Sequence, residues 1–313
     1  MPRLAGGLAG IGGIGETPLL QIPLPPGTPG RLLAKAEMLQ PGGSIKDRAA
    51  AGCIEHGLES GALRPRQPVV EMTSGNMGAG LAVVCGVLGH PFTAYMSAGN
   101  SPRRADMMRA LGASVVLVEQ VDGLPGRVTG ADIAAADERA RTDAERGGAW
   151  YVDQFNNPGA VAAHELGTAP EIWQQTDGHV DALVACVGSG GTLIGCGRAL
   201  KARKADVHIL AVEPASARIL AEGAVADPRH MLQGSGYGVV PPQWDPSVVD
   251  GYLSVDDGLA AQTRDWLGRR CGLYVGYTAA ANVAAATQWL SEQNAELTVV
   301  TFLCDTGLKY LTE

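Results

Sequence analysis

The chain has 313 residues, 46% of them apolar and 18% charged, with 43 glycines and a formal net charge of −8. That is enough apolar material for a core and enough length for two lobes, and it excludes a disordered chain. The negative balance, without a basic stripe, argues against nucleic acid or an anionic membrane as the main partner.

Met1 to Gly15 are rich in Gly and Ala and lack the apolar segment of a signal peptide, so a cytoplasmic protein is expected. Gly10-Ile11-Gly12-Gly13-Ile14-Gly15 spells GxGxxG. No strand precedes it and Pro18 follows, so it reads as a flexible arm and not as a dinucleotide site. Next, Pro41-Gly42-Gly43-Ser44-Ile45-Lys46-Asp47-Arg48 sets Lys46, one of five lysines, in the first turn of an expected helix. A helix N-terminus disfavours the ammonium form, which helps an amine act as nucleophile and base. A surface lysine is the other explanation.

Residues 68–71 read as a strand. The loop Thr73-Ser74-Gly75-Asn76-Met77-Gly78 follows, with two hydroxyls, an amide and backbone N–H groups at a helix start. That set suits a carboxylate, and it equally suits an ordinary cap by Ser74 or Asn76. The helix runs through 79–84. It lies in the longest apolar stretch, from Met77 to Leu88, which is too short to span a bilayer. Strand 92–95, helix 102–111 and strand 114–118 come after it.

His164-Glu165 starts like a zinc-protease motif but lacks the second histidine, and the six cysteines show no paired spacing. No metal site is expected, and the thiols read as reduced core residues. Strand 182–187 leads into Gly188-Ser189-Gly190-Gly191-Thr192, then a helix over 193–201 and a strand over 208–212. Glycines let backbone N–H groups crowd an anion at a helix N-terminus. Leu193 stands at the third glycine position of a dinucleotide loop, and no Gly-Lys-Ser/Thr follows. A small phosphate monoester fits better than a nucleotide, with a tight strand–helix turn as the alternative. Strands alternating with helices imply parallel βαβ units, with ligands at the carboxyl ends of the strands.

These segments occur in order with Ile14-Gly15-Glu16-Thr17-Pro18-Leu19, Gln154-Phe155-Asn156-Asn157-Pro158, Thr168-Ala169-Pro170-Glu171-Ile172-Trp173, Gln233-Gly234-Ser235-Gly236-Tyr237-Gly238 and Thr306-Gly307. Together they resemble the cysteine synthase (O-acetylserine sulfhydrylase) family, within the tryptophan-synthase-β type (fold type II) of pyridoxal-phosphate (PLP) enzymes. The resemblance covers nearly the whole chain. It implies an α/β fold, a two-lobed three-layer sandwich. Residues 1–46 and 150–313 would form the larger PLP-binding lobe, and 47–149 a smaller mobile lobe. A homodimer is also implied.

The resemblance further implies that Lys46 carries pyridoxal 5'-phosphate as a Schiff base and moves the α-proton. Asn76 would meet the ring oxygen. Gly188, Ser189, Gly190, Gly191 and Thr192 would anchor the phosphate, and Thr306 would lie against the pyridine nitrogen. Thr73, Ser74, Gly75, Met77, Gln154, Gly234 and Ser235 would surround the substrate. A neutral hydroxyl at Thr306, with the Asp305 side chain pointing away, favours β-elimination and β-replacement over transamination.

The implied activity is β-replacement on an O-activated L-serine by a small nucleophile, through an α-aminoacrylate intermediate. The alternatives are substitution by a non-sulfide nucleophile giving a non-protein amino acid, β-elimination as a serine/threonine dehydratase, and a PLP-binding scaffold without turnover. Met77 stands where the family carries threonine, which reads either as a reshaped site or as a neutral change. Thr278-Ala279-Ala280-Ala281 replaces Ser-Ser-Gly-Ala, an expected packing variation at a helix start. The isoleucine-ended tail that docks into serine acetyltransferase does not follow Tyr310-Leu311-Thr312-Glu313, so that partnership is not expected.

Overall fold

The apolar runs and the helix signals between them fall on real elements in the structure, a computed structural model that describes residues 13–125 and 128–311. In chain order these are β1 (Leu19–Ile22), β2 (Arg31–Lys35), α1 (Lys46–Glu59), β3 (Val69–Met72), α2 (Asn76–Leu88), β4 (Phe92–Ser97) and α3 (Pro102–Ala110). Then come β5 (Ser114–Val118), α4 (Gly130–Gly147), β6 (Trp150–Tyr151), α5 (Gly159–Ala163), α6 (Ala169–Gln175), β7 (Ala182–Cys186) and α7 (Gly191–Lys201). The last are β8 (His208–Pro214), α8 (Ile219–Glu222), β9 (Gly251–Val255), α9 (Asp257–Cys271), α10 (Tyr277–Ser291) and β10 (Thr298–Phe302). A π-helical turn, His164–Thr168, joins α5 to α6.

The chain divides into two compact units, one built on residues 40–160 and one on residues 16–39 with 161–311. The first unit holds a parallel sheet in the order β5-β4-β3-β6. Val69, Phe92, Ala94 and Met96 turn one face of it toward α1, α2 and α3, where they share a core with Ile54, Leu81 and Met108. Val70 and Tyr95 turn the other face toward Ala140 and Ala144 of α4. This alternation is the period-two geometry of a strand with both faces covered.

The first unit is wider than the expected 47–149 lobe at both ends. Lys46 opens α1, and α1 packs tightly on α2: a Cβ on Gly80 would stand 3.0 Å from Lys46 O and from Asp47 Cα. At the other end β6 pairs with β3 through Val69↔Trp150 and Val70↔Tyr151. The expected flexible arm is also pinned at one point, because Ile14 is buried in this unit's core. Gly10-Ile11-Gly12 and Thr312-Glu313 lie outside the described residues.

The second unit holds a sheet in the order β1-β2-β10-β7-β8-β9, parallel except for β1 against β2. Ala182, Val184, Leu210 and Val212 pack with α9 and α10. Residues of opposite parity, Leu183, Ala185, Ile209 and Ala211, are equally buried. There α7 lies so close that a Cβ on Gly197 would meet Ile209 at 3.2 Å. Each unit is therefore helix, sheet, helix, the layering of an α/β fold. Thr278-Ala279-Ala280-Ala281 falls in the first turn of α10, with the three alanines fully buried, as a packing role requires. Among the described residues no helix is long and apolar enough to cross a membrane.

Candidate active site

In the first unit, two glycines shape the approach to Lys46. Gly43, at φ +75°, lets the chain turn so that its N–H reaches Gln40 O at 2.7 Å. Gly42 donates its N–H to the buried Asp47 carboxylate, and a Cβ there would sit 2.6 Å from Asp47 Oδ1. Ser44 Oγ accepts the Lys46 N–H at 3.3 Å. Lys46 is thus the first residue of α1, half-buried, with the Asp47 carboxylate in the same helical turn.

The loop between β3 and α2 has a cap other than the expected one. Thr73 donates its N–H to Tyr95 O at 2.9 Å, and its Oγ1 accepts the N–H groups of Gly75 (3.3 Å) and Gly78 (3.0 Å). So the capping anticipated for Ser74 or Asn76 belongs to Thr73, which is buried. Ser74 is exposed and its carbonyl accepts from Arg104 Nη1 at 3.1 Å, while Asn76 is half-buried. A Cβ on Gly78 would fall 2.2 Å from Met108 Sδ and 2.7 Å from Thr73 Cγ2, so a larger residue there would displace those side chains. Met77 is 3% exposed and belongs to the apolar core that includes Met108 and Ala105. Its side chain packs, so the threonine-to-methionine change reads in the structure as a core substitution.

Gln154 lies beside a residue the sequence reading missed. Its Nε2 donates to Glu71 Oε1 at 3.2 Å and to Met72 O at 3.4 Å. Glu71 is buried, and desolvation pushes its carboxyl up to about 8, against the pull of the Asp153 backbone amide and of Gln154. Nothing local in the sequence distinguished it from a strand-end glutamate.

In the second unit, β7 ends where Asn282 Oδ1 accepts the Cys186 N–H at 2.7 Å. The Asn282 Nδ2 donates to Phe302 O at 3.0 Å, which ties β7 and β10 together. Gly188 follows, so close to the segment around Gly234 that a Cβ would lie 2.2 Å from Gly234 O. Gly190 takes the left-handed conformation, φ +89°, as N-cap of α7. Ser189 is buried. Thr192 Oγ1 is 3.2 Å from His164 Nε2, and His164 Nδ1 is 2.9 Å from Thr168 Oγ1. The π-helical turn thus sets a buried histidine against the glycine-loop hydroxyl of Thr192, a second residue missed from sequence; such turns are frequent at functional sites. Gly234 is exposed, and the buried Ser235 donates its hydroxyl to Leu232 O at 3.0 Å.

Thr306 is half-buried and its Oγ1 accepts the Leu308 N–H at 3.3 Å. The neighbouring Asp305 is buried, accepts from Tyr310 Oη at 2.5 Å, and presses its other oxygen on Gly276. Its carboxylate thus faces Tyr310 and Gly276.

All six cysteines are free. Burial pushes the Cys85 thiol up to about 12 and those of Cys53 and Cys186 far upward, so these three are not ionised nucleophiles. Among the described residues no cluster of His, Cys, Asp or Glu could hold a metal.

The donor sets suit pyridoxal phosphate on chemical grounds. The loop at the start of α7 brings glycine backbone N–H groups and the Ser189 and Thr192 hydroxyls to a helix N-terminus, where a phosphate is favoured. The first unit offers an amine at a helix N-terminus, able to condense with an aldehyde.

Residues 11–305 match the profile of the family described as pyridoxal-phosphate dependent enzyme. The chain is 34% identical to cysteine synthase A of Escherichia coli (strain K12) over 306 residues, 96% of this chain and 92% of that protein. Among solved structures it is similar to O-ureido-L-serine synthase, with 33% identity and a TM-score of 0.85, covering 96% of this chain and 92% of that one. It is also similar to O-acetyl serine sulfhydrylase isoform 3 from Entamoeba histolytica, with 30% identity and a TM-score of 0.87, covering 100% and 91%.

The chain belongs to the family of pyridoxal-phosphate dependent enzymes. Within it, the protein is a cysteine synthase-like enzyme of fold type II, and pyridoxal phosphate is its cofactor.

Proposed function

We propose that the protein catalyses β-replacement on an O-activated L-serine, with O-acetyl-L-serine as the donor and a small nucleophile as the acceptor. The observation that carries the reaction type is the corner at Thr306. A neutral hydroxyl stands at the position that the family resemblance assigns to the ring nitrogen, and the carboxylate of the adjacent Asp305 accepts from Tyr310 Oη. Such a residue does not keep a proton on a pyridine nitrogen, which disfavours transamination.

When bound, pyridoxal phosphate supplies the electron sink for charge left on the substrate α-carbon. Lys46 would hold it covalently, Asn76 would meet its ring oxygen, Gly188 to Thr192 its phosphate, and Thr306 its ring nitrogen. The Lys46 amine takes the α-proton and later returns it to the same carbon. Thr73, Ser74, Gly75 and Gln154 bind the substrate carboxylate, at a helix N-terminus that favours an anion. Gly234 and Ser235 border the substrate side chain. The assembly we propose is a homodimer, which light scattering would check.

A nucleophile other than sulfide is favoured by one comparison, because the name O-ureido-L-serine describes a product with a substituted oxygen on the serine β-carbon. The test is a titration of the holoenzyme with O-acetyl-L-serine, following its visible absorption, and then a screen of sulfide, thiols and N-hydroxylated ureas for the one that restores the starting spectrum. The expected result is a spectral shift reversed by one acceptor, with a new amino acid formed. Release of a keto acid alone would mark an elimination enzyme. No response to the donor would refute the proposed substrate.

A further inference from the structure

Glu71 is a carboxyl placed where packing calls for an apolar side chain. It pairs with Ala94 across the sheet and so shares the face of Val69 and Phe92, against the core of α1 and α2. It is 1% exposed. Oε1 accepts from Gln154, and Oε2 is buried without a hydrogen-bond partner. A buried ion with an unsatisfied oxygen is strongly disfavoured, so such a group persists as the neutral acid unless a cation pairs with it.

The groups around it supply no cation. From α1 comes the Cys53 thiol, from β6 and the residues after it Tyr151, Asp153 and Gln154, and from α4 Asp137. Arg141 of α4 is engaged by Asp137 at 2.8 Å and Asp153 at 3.5 Å, and the Tyr151 hydroxyl donates to Asp137. Lys46 acts on Cys53. Among the described residues Glu71 makes no ion pair. Burial and the neighbouring carboxylates of Asp153 and Asp137 favour the protonated carboxyl and outweigh the Asp153 backbone amide and Gln154, which favour the anion, in line with the rise to about 8.

The Gln154 amide nitrogen has two N–H bonds, and they point to Glu71 Oε1 and to Met72 O at the root of the Thr73–Asn76 loop. To bind a substrate carboxylate, Gln154 must give up one of these. We propose that Glu71 is a positioning residue for Gln154: as a neutral acid it holds the amide loosely enough to be transferred to the substrate carboxylate, and as an anion it keeps the amide and repels the carboxylate. A charge-assisted hydrogen bond is stronger than a neutral one, which gives the difference its sign. This inference rests on the proposed role of Gln154 in carboxylate binding.

The test compares wild-type holoenzyme with Glu71→Gln, which keeps an acceptor for Gln154 but does not ionise. Half-saturation is read from the absorption change with O-acetyl-L-serine and, separately, with L-alanine, which has the same amine and carboxylate but no leaving group. If only the neutral form binds, the wild-type half-saturating concentration, divided by that of the variant, rises about tenfold between pH 7 and pH 9. In a Gln154→Ala background that rise disappears. The infrared difference between wild type and Glu71→Gln at pH 6.5 shows the carbonyl stretch of a protonated acid. Identical pH dependence in the two proteins, or no protonated-acid signal, overturns the proposal. A response to L-alanine without one to O-acetyl-L-serine would instead sink the proposed donor and leave Glu71 testable on L-alanine alone. Binding of neither amino acid would refute both.

Discussion

Replacing Gly188 by alanine tests whether the second unit's glycine loop is built for close approach. The new Cβ would stand 2.2 Å from Gly234 O, a backbone atom, whereas ordinary contact is about 3.5 Å. The two segments must therefore part by about 1 Å, against the hydrogen bond from the Gly236 N–H to Val187 O at 3.1 Å that ties them together. Overpacking of this kind costs about 1–3 kcal/mol. For a protein of this size that lowers Tm by roughly 2–5 °C. Displacing even one N–H from a charged phosphate costs about 1.5–3 kcal/mol, so affinity for pyridoxal phosphate should fall by about tenfold or more. The assay is fluorescence titration of cofactor-free protein with pyridoxal phosphate, alongside thermal unfolding. Gly86→Ala is the control, since that glycine is exposed in α2 with nothing within 4 Å of a Cβ. A Gly188→Ala protein that binds the cofactor and melts like wild type would refute the reading of this loop.

Four further outcomes are expected. Lys46→Ala abolishes borohydride-fixed incorporation of the cofactor and all turnover while leaving far-UV circular dichroism unchanged; labelling at another lysine would move the assignment. Met77→Thr, which puts a hydroxyl into the apolar core, lowers stability by about 2 kcal/mol in urea unfolding without raising activity with sulfide, and a gain for sulfide would show that Met77 acts on specificity. Glu171→Leu removes an ion-pair partner of Lys35, which is fully buried with Nζ 2.5 Å from Glu171 Oε2, and should cost about 3 kcal/mol. The last outcome concerns pH. Glu71 is raised above the ordinary glutamate range, so the folded state binds its proton more tightly than the unfolded chain. Its contribution is complete below that ordinary range and is lost as pH rises through about 8. Asp181 and Asp250, held low by Lys204 and Lys201 despite partial burial, act in the opposite sense and lose stabilisation as pH falls. Wild type minus Glu71→Gln should therefore lose a few kcal/mol of unfolding free energy between pH 5 and pH 9. Parallel urea curves at both pH values would count against a neutral Glu71.

Elements written in local patterns could be read from the linear chain. Strands over 69–72, 92–97, 114–118, 182–186 and 208–214 were legible because each is a short apolar run bounded by turn residues. The helix from Pro102 declared itself by a proline at its first position, and Lys46 by the Gly-Gly turn before it. By contrast, α4 went unread: its buried face is Ala136, Ala140 and Ala144, and alanine marks core and surface alike.

Side-chain partners were decided only in three dimensions. Thr73 rather than Ser74 or Asn76 caps α2, because only the folded loop turns its hydroxyl toward the Gly78 N–H. Met77 stands in the loop proposed to bind the carboxylate yet packs in the core. His164 meets Thr192 across 28 residues by way of a π-helical turn, and Glu71 meets Gln154 across 83. Backbone periodicity depends on near neighbours and so survives in the linear chain. The protonation of Glu71 and the orientation of Asp305 toward Tyr310 depend on which groups packing brings within hydrogen-bonding distance and from which it excludes water, and no spacing in the sequence encodes that.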